Sequence, residues 1–590
     1  MKYRTHNCGE LRSGNTGTIV RLSGWVKSWR DHGGLLFIDL RDRYGITQIV
    51  FNPQLAKTIY EEALRLRSEF VVTIQGKVNL RPQGMVNSDM KTGEIEVLAE
   101  NLNILNTAKT PPFEIVDDID VHEELKLKYR YLDLRRTNNK NNLLLRSKLY
   151  QIVRNFFYTN DFIEIETPVL TKSTPEGARD FLVPSRNYKG RFYALPQSPQ
   201  TYKQILMMAG FDKYFQIVKC FRDEDLRKDR QPEFTQIDLE MSFVEESDVM
   251  NISEKLVKHI YKEIKGEDLK ADFLRLSYQE ARSKYGSDKP DLRFDLYIIN
   301  LSDVLHETKF NVYARVINEK GIIAGICVEG ADRFSRNQID KLTDFVKNLG
   351  ANGLTWFRQK ENTLEGPSAK FLSVEELDNI VQKMNSKNND IIFIIAGEEE
   401  KTLSLLGELR SYLAENLDLI DKHKDCFLWI TDFPMLEYDE DEKRFVARHH
   451  PFTSPAIEDM DLLEKEPNKV KSRAYDLVMN GNEIAGGSIR IHDILLQKRV
   501  FQMLGISDQE AQDKFGFLLN AMTYGAPPHG GIAFGFDRLV MLLAGANSLR
   551  DVIAFPKTTS ALSLMDGSPS SVTERQLTEL GLILDSSKSI

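Results

Sequence analysis

One stretch dense in charged side chains carries the clearest chemical signal in the sequence. The run 221–243 reads FRDEDLRKDRQPEFTQIDLEMSF, and its second half alternates polar with apolar residues, a period of two that is typical of a strand with one polar face. Asp238 and Glu240 on that face favour a strand that lines a ligand cleft. Arg222 ends a preceding strand, VKCFRDED, and a guanidinium there suits a phosphate because it can bind two oxygens at once. The tip of this predicted hairpin is basic, with Arg227, Lys228 and Arg230. A solvated charged hairpin is the alternative interpretation of the stretch on its own.

A second predicted hairpin brings two more carboxylates together in the segment AYDLVMNGNEIAGGSIRIH. Asn480-Gly481 is typical of a two-residue turn of type I′, which places Asp476 on the same strand face as Glu483. Two converging carboxylates could hold Mg²⁺, with nucleotide phosphates completing the oxygen ligands. Arg490 follows Glu483 at an odd spacing and would point to the other face unless a bulge at Gly486-Gly487 restores it. The alternative is a surface hairpin with ordinary charges.

A predicted helix lies in the segment LPQSPQTYKQILMMAG. Ser198 would cap it, Pro199 would be its first residue and Gly210 would end it. Gln200 and Lys203 then share one face of the first turn. A lysine at a helix N-terminus opposes the helix dipole, which suggests that an anionic ligand compensates it. A solvated lysine is the alternative.

A predicted junction between a strand and a helix lies further along, in PPHGGIAFGFDRLVMLLAG. Arg538 falls in the first turn of this helix, and Gly530, Gly531 and Gly535 would allow a ligand to approach the backbone closely. The segment lacks the GxGxxG spacing of a dinucleotide site, and the sequence has no GxxxxGK[ST] phosphate loop.

The elements that must position these residues fall into several compact units. At 590 residues the chain is long enough for about four domains. Residues 1–105 read as five strands with one helix, near 53–66, after the third strand, which is typical of an OB-fold barrel. This segment has a small excess of basic residues on a chain with a formal net charge of −9, and the excess indicates a polyanionic partner.

The other domain boundaries follow changes in pattern. Residues 106–135 are a predicted hinge, with Pro111-Pro112 followed by acidic residues. An amphipathic helix, roughly 143–159, opens a second domain that we expect in two parts, 136–292 and 421–560. Residues 293–420, which mix strands with helices, are a predicted insertion between these parts, and 561–590 are a polar extension.

Composition excludes several classes of protein. Charged residues make up 28% and hydrophobic residues 41% of the chain, as in a globular protein and unlike a disordered or fibrous one. Its four cysteines are far apart, so there is no CxxC pair for a zinc site or a redox dithiol. No apolar run reaches the ~18 residues of a membrane span and the N-terminus lacks an apolar signal core, so we expect a cytoplasmic protein.

Three blocks of the sequence resemble the signature motifs of the class II aminoacyl-tRNA synthetases. The block IEIETPVL, with Pro168, is similar to motif 1. The block FRDEDLR followed by RQPEFTQIDLE is similar to motif 2, and the block GGIAFGFDRL is similar to motif 3. Four further blocks, TPEGARDF, QSPQTYKQ, RHHPFTSP and GGSIRIH, resemble the bacterial-type aspartyl-tRNA synthetases, and the likeness runs from the first strand to about Thr559. The resemblance implies an α+β multidomain protein with an N-terminal OB-fold anticodon-binding barrel, a catalytic domain built on an antiparallel sheet flanked by helices, and an inserted α+β domain. It also implies a homodimer that uses ATP and Mg²⁺ to convert L-aspartate to aspartyl-adenylate and then charges tRNA(Asp).

The resemblance assigns roles residue by residue. The catalytic residues would be Arg222, at the α-phosphate and the aspartate carboxylate, Glu483, and Arg538, at the γ-phosphate. Aspartate would be bound by Glu176, Ser198, Gln200, Lys203, Arg222, Asp238, His449, His450 and Arg490. ATP would be bound by Arg222, Asp223, Glu224, Gln231, Glu483, Gly535, Phe536, Asp537 and Arg538. Mg²⁺ would be held by Asp476 and Glu483. Lys203 and Arg490 would clamp the side-chain carboxylate, which favours aspartate because the amide of asparagine would leave both cations unpaired.

In the barrel, Arg30, Phe37 and Gln48 match positions that meet the anticodon in this family. An exposed Phe37 would stack on an unpaired base and contribute ~1 to 3 kcal/mol, whereas a core position is the alternative. Members that also charge tRNA(Asn), for later conversion by an amidotransferase, tend to carry His at the position of His32 and glycine in an RPxG loop, here Gly84. We therefore expect a non-discriminating enzyme. A strictly discriminating enzyme, in which His32 only closes a turn, is the alternative.

Three other functions compete with this one. A catalytically inactive RNA-binding paralogue is disfavoured by the intact set of charged motif residues. An asparaginyl- or lysyl-tRNA ligase is disfavoured by Lys203 with Arg490, since a lysine substrate would need an acidic pocket. A class I synthetase is disfavoured because the segment KMNSK at 383–387, which looks like a degraded class I signature, has no HxGH partner and no Rossmann context.

Overall fold

The computed structural model describes residues 2–174, 178–226, 229–361, 363–439 and 443–585. The chain divides into two compact units, Met1–Leu144 with Ser563–Ser568, and Leu145–Leu562 with Pro569–Ile590. Within the described residues, no helix is long and apolar enough to cross a membrane.

The first unit contains a closed five-stranded barrel. Its elements are β1 (Ile19–His32), β2 (Leu35–Arg41), β3 (Ile46–Phe51), α1 (Lys57–Ala63), β4 (Val71–Leu80) and β5 (Ile95–Asn106). The strands are ordered β1-β2-β3-β5-β4, with β3 parallel to β5 and the other neighbours antiparallel. Alternate residues of β2, Leu36, Ile38 and Leu40, are buried in the barrel core, which is the expected period of two. This arrangement is the OB-fold, and the prediction for this segment is confirmed.

Three helices follow the barrel: α2 (Glu123–Lys128), α3 (Arg130–Asp133) and α4 (Thr137–Thr159). Helix α4 begins earlier than the predicted start near residue 143, because its Asn-rich first turns contain no apolar residue and hydrophobic spacing gives no signal there. Before α4, Arg135 pairs with Glu69 at 2.5 Å, and Glu69 also pairs with Arg41 at 2.7 Å. This partly buried charged cluster ties the segment to the barrel.

The second unit is built on an eight-stranded sheet. Its first elements along the chain are β6 (Ile163–Glu164), β7 (Leu182–Pro184), β8 (Phe192–Ala194), α5 (Gln200–Met208), β9 (Lys213–Phe221), β10 (Glu233–Ser242), α6 (Glu246–Lys265), β11 (Leu274–Ser277) and α7 (Tyr278–Tyr285). Strands β9 and β10 form the predicted antiparallel hairpin, with Phe221 opposite Glu233. Strands β7 and β8 form a separate two-stranded sheet.

A second sheet, of five strands, follows in the chain. Its elements are β12 (Ile298–Asn300), α8 (Asn311–Asn318), β13 (Ile322–Glu329), α9 (Arg336–Asn348), β14 (Thr355–Lys360), β15 (Thr363–Glu365), α10 (Val374–Met384), β16 (Asp390–Gly397) and α11 (Glu399–Asn416). The strands are ordered β12-β13-β16-β14-β15. Hydrophobic clusters cover both faces of this sheet, so the segment has a core of its own.

The chain then returns to the eight-stranded sheet. The remaining elements are β17 (Phe427–Thr431), β18 (Leu436–Asp439), β19 (Arg444–Ala447), β20 (Ala474–Met479), β21 (Asn482–Ile489), α12 (Ile494–Met503), α13 (Asp508–Met522), β22 (His529–Gly535), α14 (Phe536–Ala544) and α15 (Glu574–Leu580). The sheet order is β11-β17-β20-β21-β22-β10-β9-β6, antiparallel except at β11–β17 and β9–β6. Helices α4, α6 and α14 pack on one face, which leaves the other face of the central strands for a cleft.

Candidate active site

A cleft of about 440 Å³ lies over the central strands β10, β20, β21 and β22. In β10, Gln236 and Asp238 face this cleft while Ile237 and Leu239 pack in the core, as the period of two predicts. The cleft brings together the predicted residues Ser198, Gln200, Lys203, Arg222, Asp238, His449, His450, Asp476, Glu483 and Arg490. Glu176, also predicted here, lies outside the described residues.

Lys203 and Arg490 share one counter-ion, the carboxylate of Glu240. Lys203 Nζ lies 3.2 Å from Glu240 Oε2 and 3.0 Å from Asp238 Oδ2. Arg490 Nε lies 2.9 Å from Glu240 Oε1. Lys203 is only 1% exposed, so the alternative of a solvated lysine is wrong. Four charges can be buried together here because each one has a partner of opposite sign.

The sequence places Glu240 with Asp238 on the polar face of the strand, but its part as the shared counter-ion of Lys203 and Arg490 is seen only in the structure. Gly531 pairs with Glu240 across β10 and β22, and a Cβ at Gly531 would lie 2.0 Å from Glu240 Oε2. A Cβ at Gly530 would lie 2.5 Å from the side chain of Ile489. These two glycines make room for protein side chains, so their predicted role in the approach of a ligand is corrected.

Burial and neighbouring charges move the two carboxylates in opposite directions. Burial raises the pKa of Asp238 to about 6, although Lys203 opposes the shift. Burial also disfavours the charged form of Glu240, but Arg490 and Lys203 outweigh it and lower the pKa of Glu240 to about 2. Asp238 Oδ1 is buried and accepts no hydrogen bond from the described residues. An unpaired carboxylate oxygen at the cleft fits the ammonium group of a ligand.

Helix α5 presents its first turn to the same cleft. It begins at Gln200, one residue later than predicted, and the backbone N–H of Gln200 donates to Ser198 Oγ at 3.3 Å. Gln200 Nε2 donates to Gln204 Oε1 at 3.1 Å, which fixes the amide at the edge of the site. The shared face of Gln200 and Lys203 is confirmed, since both border the cleft.

Two histidines form another wall. His450 Nε2 lies 2.8 Å from Arg490 Nη1. Burial, followed by the charge of Arg490, lowers the pKa of His450 well below its usual value, so the ring is neutral at pH 7. His449 packs edge-on against Phe433, and its Nε2 lies 3.8 Å from Asp476 Oδ1. The histidine pair therefore joins the lysine and arginine site to the acidic residues beside it.

Asp476 and Glu483 converge through the predicted hairpin. Asn480 and Gly481 both have positive φ, 51° and 77°, as a type I′ turn requires. A Cβ at Gly486 would lie 2.8 Å from Asp476 Oδ1 and 3.4 Å from Glu483 Oε1, so both carboxylates border the same glycine. The charge of Asp476, followed by burial, raises the pKa of Glu483 to about 6. A divalent cation would relieve this repulsion, so the pair of carboxylates fits Mg²⁺.

A β-bulge brings Arg490 to the cleft face, but it does not lie where the sequence suggested. The register shifts so that Ile484 has no partner: Glu483 lies opposite Val478, and the next paired residue, Ala485, lies opposite Leu477. The extra residue is therefore Ile484 and not part of Gly486-Gly487. Arg490 nevertheless lies on the cleft face, as expected, because one unpaired residue reverses the face on which every later residue of the strand lies.

A second cleft, of about 250 Å³, shares Arg222 and Glu483 with the first. Arg222 stacks on Phe234, 5.3 Å from the ring centre, and its buried Nε donates to no group among the described residues. Arg538 Nη1 donates to the Glu483 carbonyl at 2.6 Å. Two arginines along one cleft fit a polyphosphate. The predicted residues that border this second cleft are Arg222, Glu224, Gln231, Glu483, Gly535, Asp537 and Arg538.

Two predicted nucleotide-binding residues, Phe536 and Asp537, have side chains with contacts that also support the fold. The ring of Phe536 is buried and stacks on Tyr150, with 4.4 Å between ring centres. Asp537 accepts hydrogen bonds from Arg146 Nη1 at 2.5 Å and from the backbone N–H of Thr235 at 2.7 Å. These contacts hold the first turn of α14 and so position the next residue, an arginine.

Two more predicted nucleotide-binding residues, Asp223 and Gln231, form hydrogen bonds with the backbone of other segments. Asp223 is exposed and borders neither cleft, and its backbone N–H donates to the carbonyl of Arg179. The side-chain amide of Gln231 pairs with the backbone of Lys557, accepting from its N–H at 2.8 Å and donating to its carbonyl at 3.1 Å. Gln231 therefore anchors the chain segment that follows α14.

The barrel of the first unit carries its own surface of predicted contact residues. Arg30 lies opposite Phe37 in β1 and β2, and Asp39, two residues after Phe37, lies opposite Gln48 in β3. Phe37 is half-buried on the outward face of β2, so the core alternative is wrong. His32 is exposed at the end of β1. The loop before β5 contains Gly84, which has φ +83° and open space around it.

Three features found together in this chain define a class II aminoacyl-tRNA synthetase. They are an antiparallel sheet flanked by helices, two arginines along a nucleotide-sized cleft, and an OB barrel. Residues 122–559 match the family of class II tRNA synthetases (D, K and N), and residues 20–105 match the OB-fold nucleic acid binding domain. The chain belongs to the class II tRNA synthetases of the D, K and N group.

Several proteins are similar to this chain over nearly its whole length. An aspartate–tRNA(Asp/Asn) ligase of Caldanaerobacter subterraneus subsp. tengcongensis is 56% identical, over 99% of this chain and 98% of its own. A ligase of the same name from Desulfatibacillum aliphaticivorans is 54% identical, over 98% and 97%. Among solved structures, asparaginyl-tRNA synthetase from Pyrococcus horikoshii, complexed with asparaginyl-adenylate, has a TM-score of 0.59 at 20% identity and covers 94% of this chain and 98% of its own, which supports the fold.

Proposed function

We propose that this chain is an aspartate–tRNA ligase that charges both tRNA(Asp) and tRNA(Asn). The observation that carries the proposal is the arrangement of Lys203 and Arg490 on Glu240, beside an Asp238 oxygen without a partner. The name shared by relatives at 54 and 56% identity supports the same substrates for this chain.

The two ends of aspartate find complementary charges in this site. The side-chain carboxylate would lie between Lys203 and Arg490, and the α-ammonium would lie at Asp238 Oδ1. Asparagine has the same shape but brings no negative charge, so it would leave the two cations with Glu240 alone. The neutral His450 beside Arg490 adds no positive charge that would have to be compensated.

The chemistry requires an attack by the α-carboxylate of aspartate on the α-phosphorus of ATP. Both reactants are anionic, so Arg222 would hold the carboxylate and the α-phosphate together, and Arg538 would bind the distal phosphates. Asp476 and Glu483 would hold Mg²⁺, which neutralises phosphate charge when it is bound. Pyrophosphate leaves, and a ribose hydroxyl at the 3′ end of the tRNA then attacks the aspartyl carbonyl and releases AMP. No side chain acts as a nucleophile in either step.

The barrel would read the anticodon. The exposed His32 and the side-chain-free Gly84 leave space at positions expected near the base by which the aspartate and asparagine anticodons differ. An imidazole can donate or accept a hydrogen bond, so C and U are both tolerated. This supports charging of tRNA(Asn), with an amidotransferase consuming the product. A strictly discriminating enzyme is the competing proposal, in which His32 only closes its turn.

We infer the same domain division that the sequence suggests: a barrel at 1–105, a hinge at 106–135, a catalytic domain at 136–292 and 421–560, an insertion at 293–420 and an extension at 561–590. The separate sheet and separate core of β12 to β16 support the insertion. We also infer a homodimer, because the edge strand β6 and the segment after it expose apolar side chains.

An ATP–pyrophosphate exchange assay tests the proposed chemistry without tRNA. Exchange should depend on aspartate and should not be supported by asparagine or lysine. Exchange with asparagine, or the absence of exchange with all three amino acids, would contradict the assignment.

A further inference from the structure

The hairpin formed by β7 and β8 is a separate two-stranded ribbon that ends at Ala194, four residues before Ser198 at the cleft. Val183 pairs with Tyr193, and Pro184 pairs with Phe192. Phe192 and Tyr193 are consecutive and so point to opposite faces, yet they are 43% and 40% exposed. The ribbon is therefore open to solvent on both faces, which is unusual for a sheet so rich in aromatic residues.

The tip of this ribbon is strongly basic. Arg186, Lys189 and Arg191 are all exposed, and none of them forms an ion pair with a residue in the described part of the chain. The 31-residue run 181–211 contains no acidic residue at all, on a chain whose net charge is −9. The tip therefore has no ion pair within the described residues and no acidic neighbour in sequence, although Lys189 lies beside the C-terminal end of α15, where a Cβ at Gly581 would be 3.3 Å from Lys189 Cδ.

The tip is also held in shape. The backbone N–H of Ser185 donates to the carbonyl of Arg191 at 2.9 Å, and the N–H of Arg191 donates to the carbonyl of Tyr188 at 3.0 Å. Tyr188 is 62% exposed between these bonds. A fixed turn that presents three cations and an aromatic ring is suited to a partner with regularly spaced negative charges and exposed bases.

We propose that the β7–β8 hairpin binds the phosphate backbone of the acceptor arm of tRNA. This inference rests on the proposed function, in which only the 3′ end of the tRNA must reach the cleft. The chain leads from Ala194 at the base of the hairpin to Ser198, which borders the cleft, so phosphates close to the 3′ end would pass the ribbon. Phosphate contacts position a nucleic acid without reading its sequence, so the hairpin serves both tRNAs equally.

The test compares the triple variant R186Q/K189Q/R191Q with the wild type. Binding of tRNA(Asp), tRNA(Asn) and an acceptor-stem minihelix is measured over a range of KCl concentrations. We expect the variant to bind all three RNAs at least about tenfold more weakly than the wild type does. The slope of log Kd against log salt concentration should fall by about one for each phosphate that the variant no longer binds. Aspartate-dependent exchange should be unchanged, because it requires no tRNA. The matched control replaces three exposed lysines elsewhere on the second unit, K262Q/K270Q/K465Q, and should bind as the wild type does.

Two results would overturn the inference. One is an unchanged affinity and salt dependence for the minihelix. The other is loss of tRNA binding that accompanies dissociation into monomers in sedimentation, since the ribbon would then contact a second copy of the chain. The single variant Arg191→Gln provides the same comparison if the triple variant loses exchange activity through misfolding. Failure of the proposed function would look different, because the wild type itself would then fail to charge one or both tRNAs.

Discussion

At the scale of single residues, the proposed selectivity for aspartate depends on two cations, Lys203 and Arg490, that are already paired with Glu240. Lys203→Met would leave the buried carboxylates of Asp238 and Glu240 with one cation fewer and would remove a partner of the substrate carboxylate. We expect aspartate binding to weaken by about 2 to 5 kcal/mol, seen as a higher KM for aspartate in exchange, with little change in the KM for ATP. The control is Lys219→Met on β9, a lysine whose side chain is 49% exposed. An aspartate KM equal to that of the wild type would show that Lys203 does not contact the substrate.

The raised pKa of Asp238 gives the site a testable pH dependence. Because burial raises this pKa to about 6, the carboxylate becomes protonated and loses its charge as the pH falls through about 6. The α-ammonium of aspartate then loses its partner, so affinity for aspartate, measured by calorimetry without ATP, should decline with the uptake of one proton. Glu240, with its pKa lowered to about 2, stays charged throughout. Glu483→Gln should keep this profile, whereas an affinity that is flat down to about pH 5 would contradict the role of Asp238.

At the scale of elements, the sequence predicts well which face of a strand a side chain lies on, but it predicts poorly how neighbouring strands are aligned. The alternation in β10 and the turn at Asn480-Gly481 are local patterns, and both predict the facing of Asp238, Asp476 and Glu483 correctly. The bulge at Ile484 is seen only in the register of β20 with β21 and leaves no composition signal, so sequence patterns do not locate it. The contact of Gly531 with Glu240 joins two strands that are distant in sequence, and only the register of β10 with β22 reveals it.

That contact can be tested by adding one methyl group. Gly531→Ala would place a Cβ 2.0 Å from Glu240 Oε2 and 2.2 Å from the Leu239 carbonyl, so the strands or the carboxylate must move. We expect a loss of about 1 to 3 kcal/mol in the free energy of unfolding, together with a higher KM for aspartate. Gly353→Ala, where no atom lies within 4 Å of the new Cβ, is the control at a glycine that borders neither cleft. Equal behaviour of the two variants in denaturant and in exchange would refute the role given to Gly531.

At the scale of the whole molecule, apolar side chains are exposed at one edge of the eight-stranded sheet. Ile163, Val169 and Leu170 are 50%, 48% and 52% exposed at or just after the edge strand β6. A second copy of the chain would cover them, and we expect a dimer in sedimentation at micromolar concentration. Leu170→Glu should produce a monomer with impaired exchange. Leu274→Glu, at a 49% exposed position on the opposite edge strand β11, should remain dimeric, and a monomeric wild type with full activity would contradict the expectation.

Aspartylation of purified tRNA(Asp) and tRNA(Asn) by the wild type and by His32→Leu tests whether this enzyme charges both tRNAs. We expect the wild type to attach aspartate to both tRNAs, because the cleft selects aspartate and the barrel tolerates both anticodons. His32→Leu should keep the activity on tRNA(Asp) and selectively lose activity on tRNA(Asn). A wild type that charges tRNA(Asp) alone would exclude the non-discriminating function, and one that attaches aspartate to neither tRNA would contradict the whole assignment.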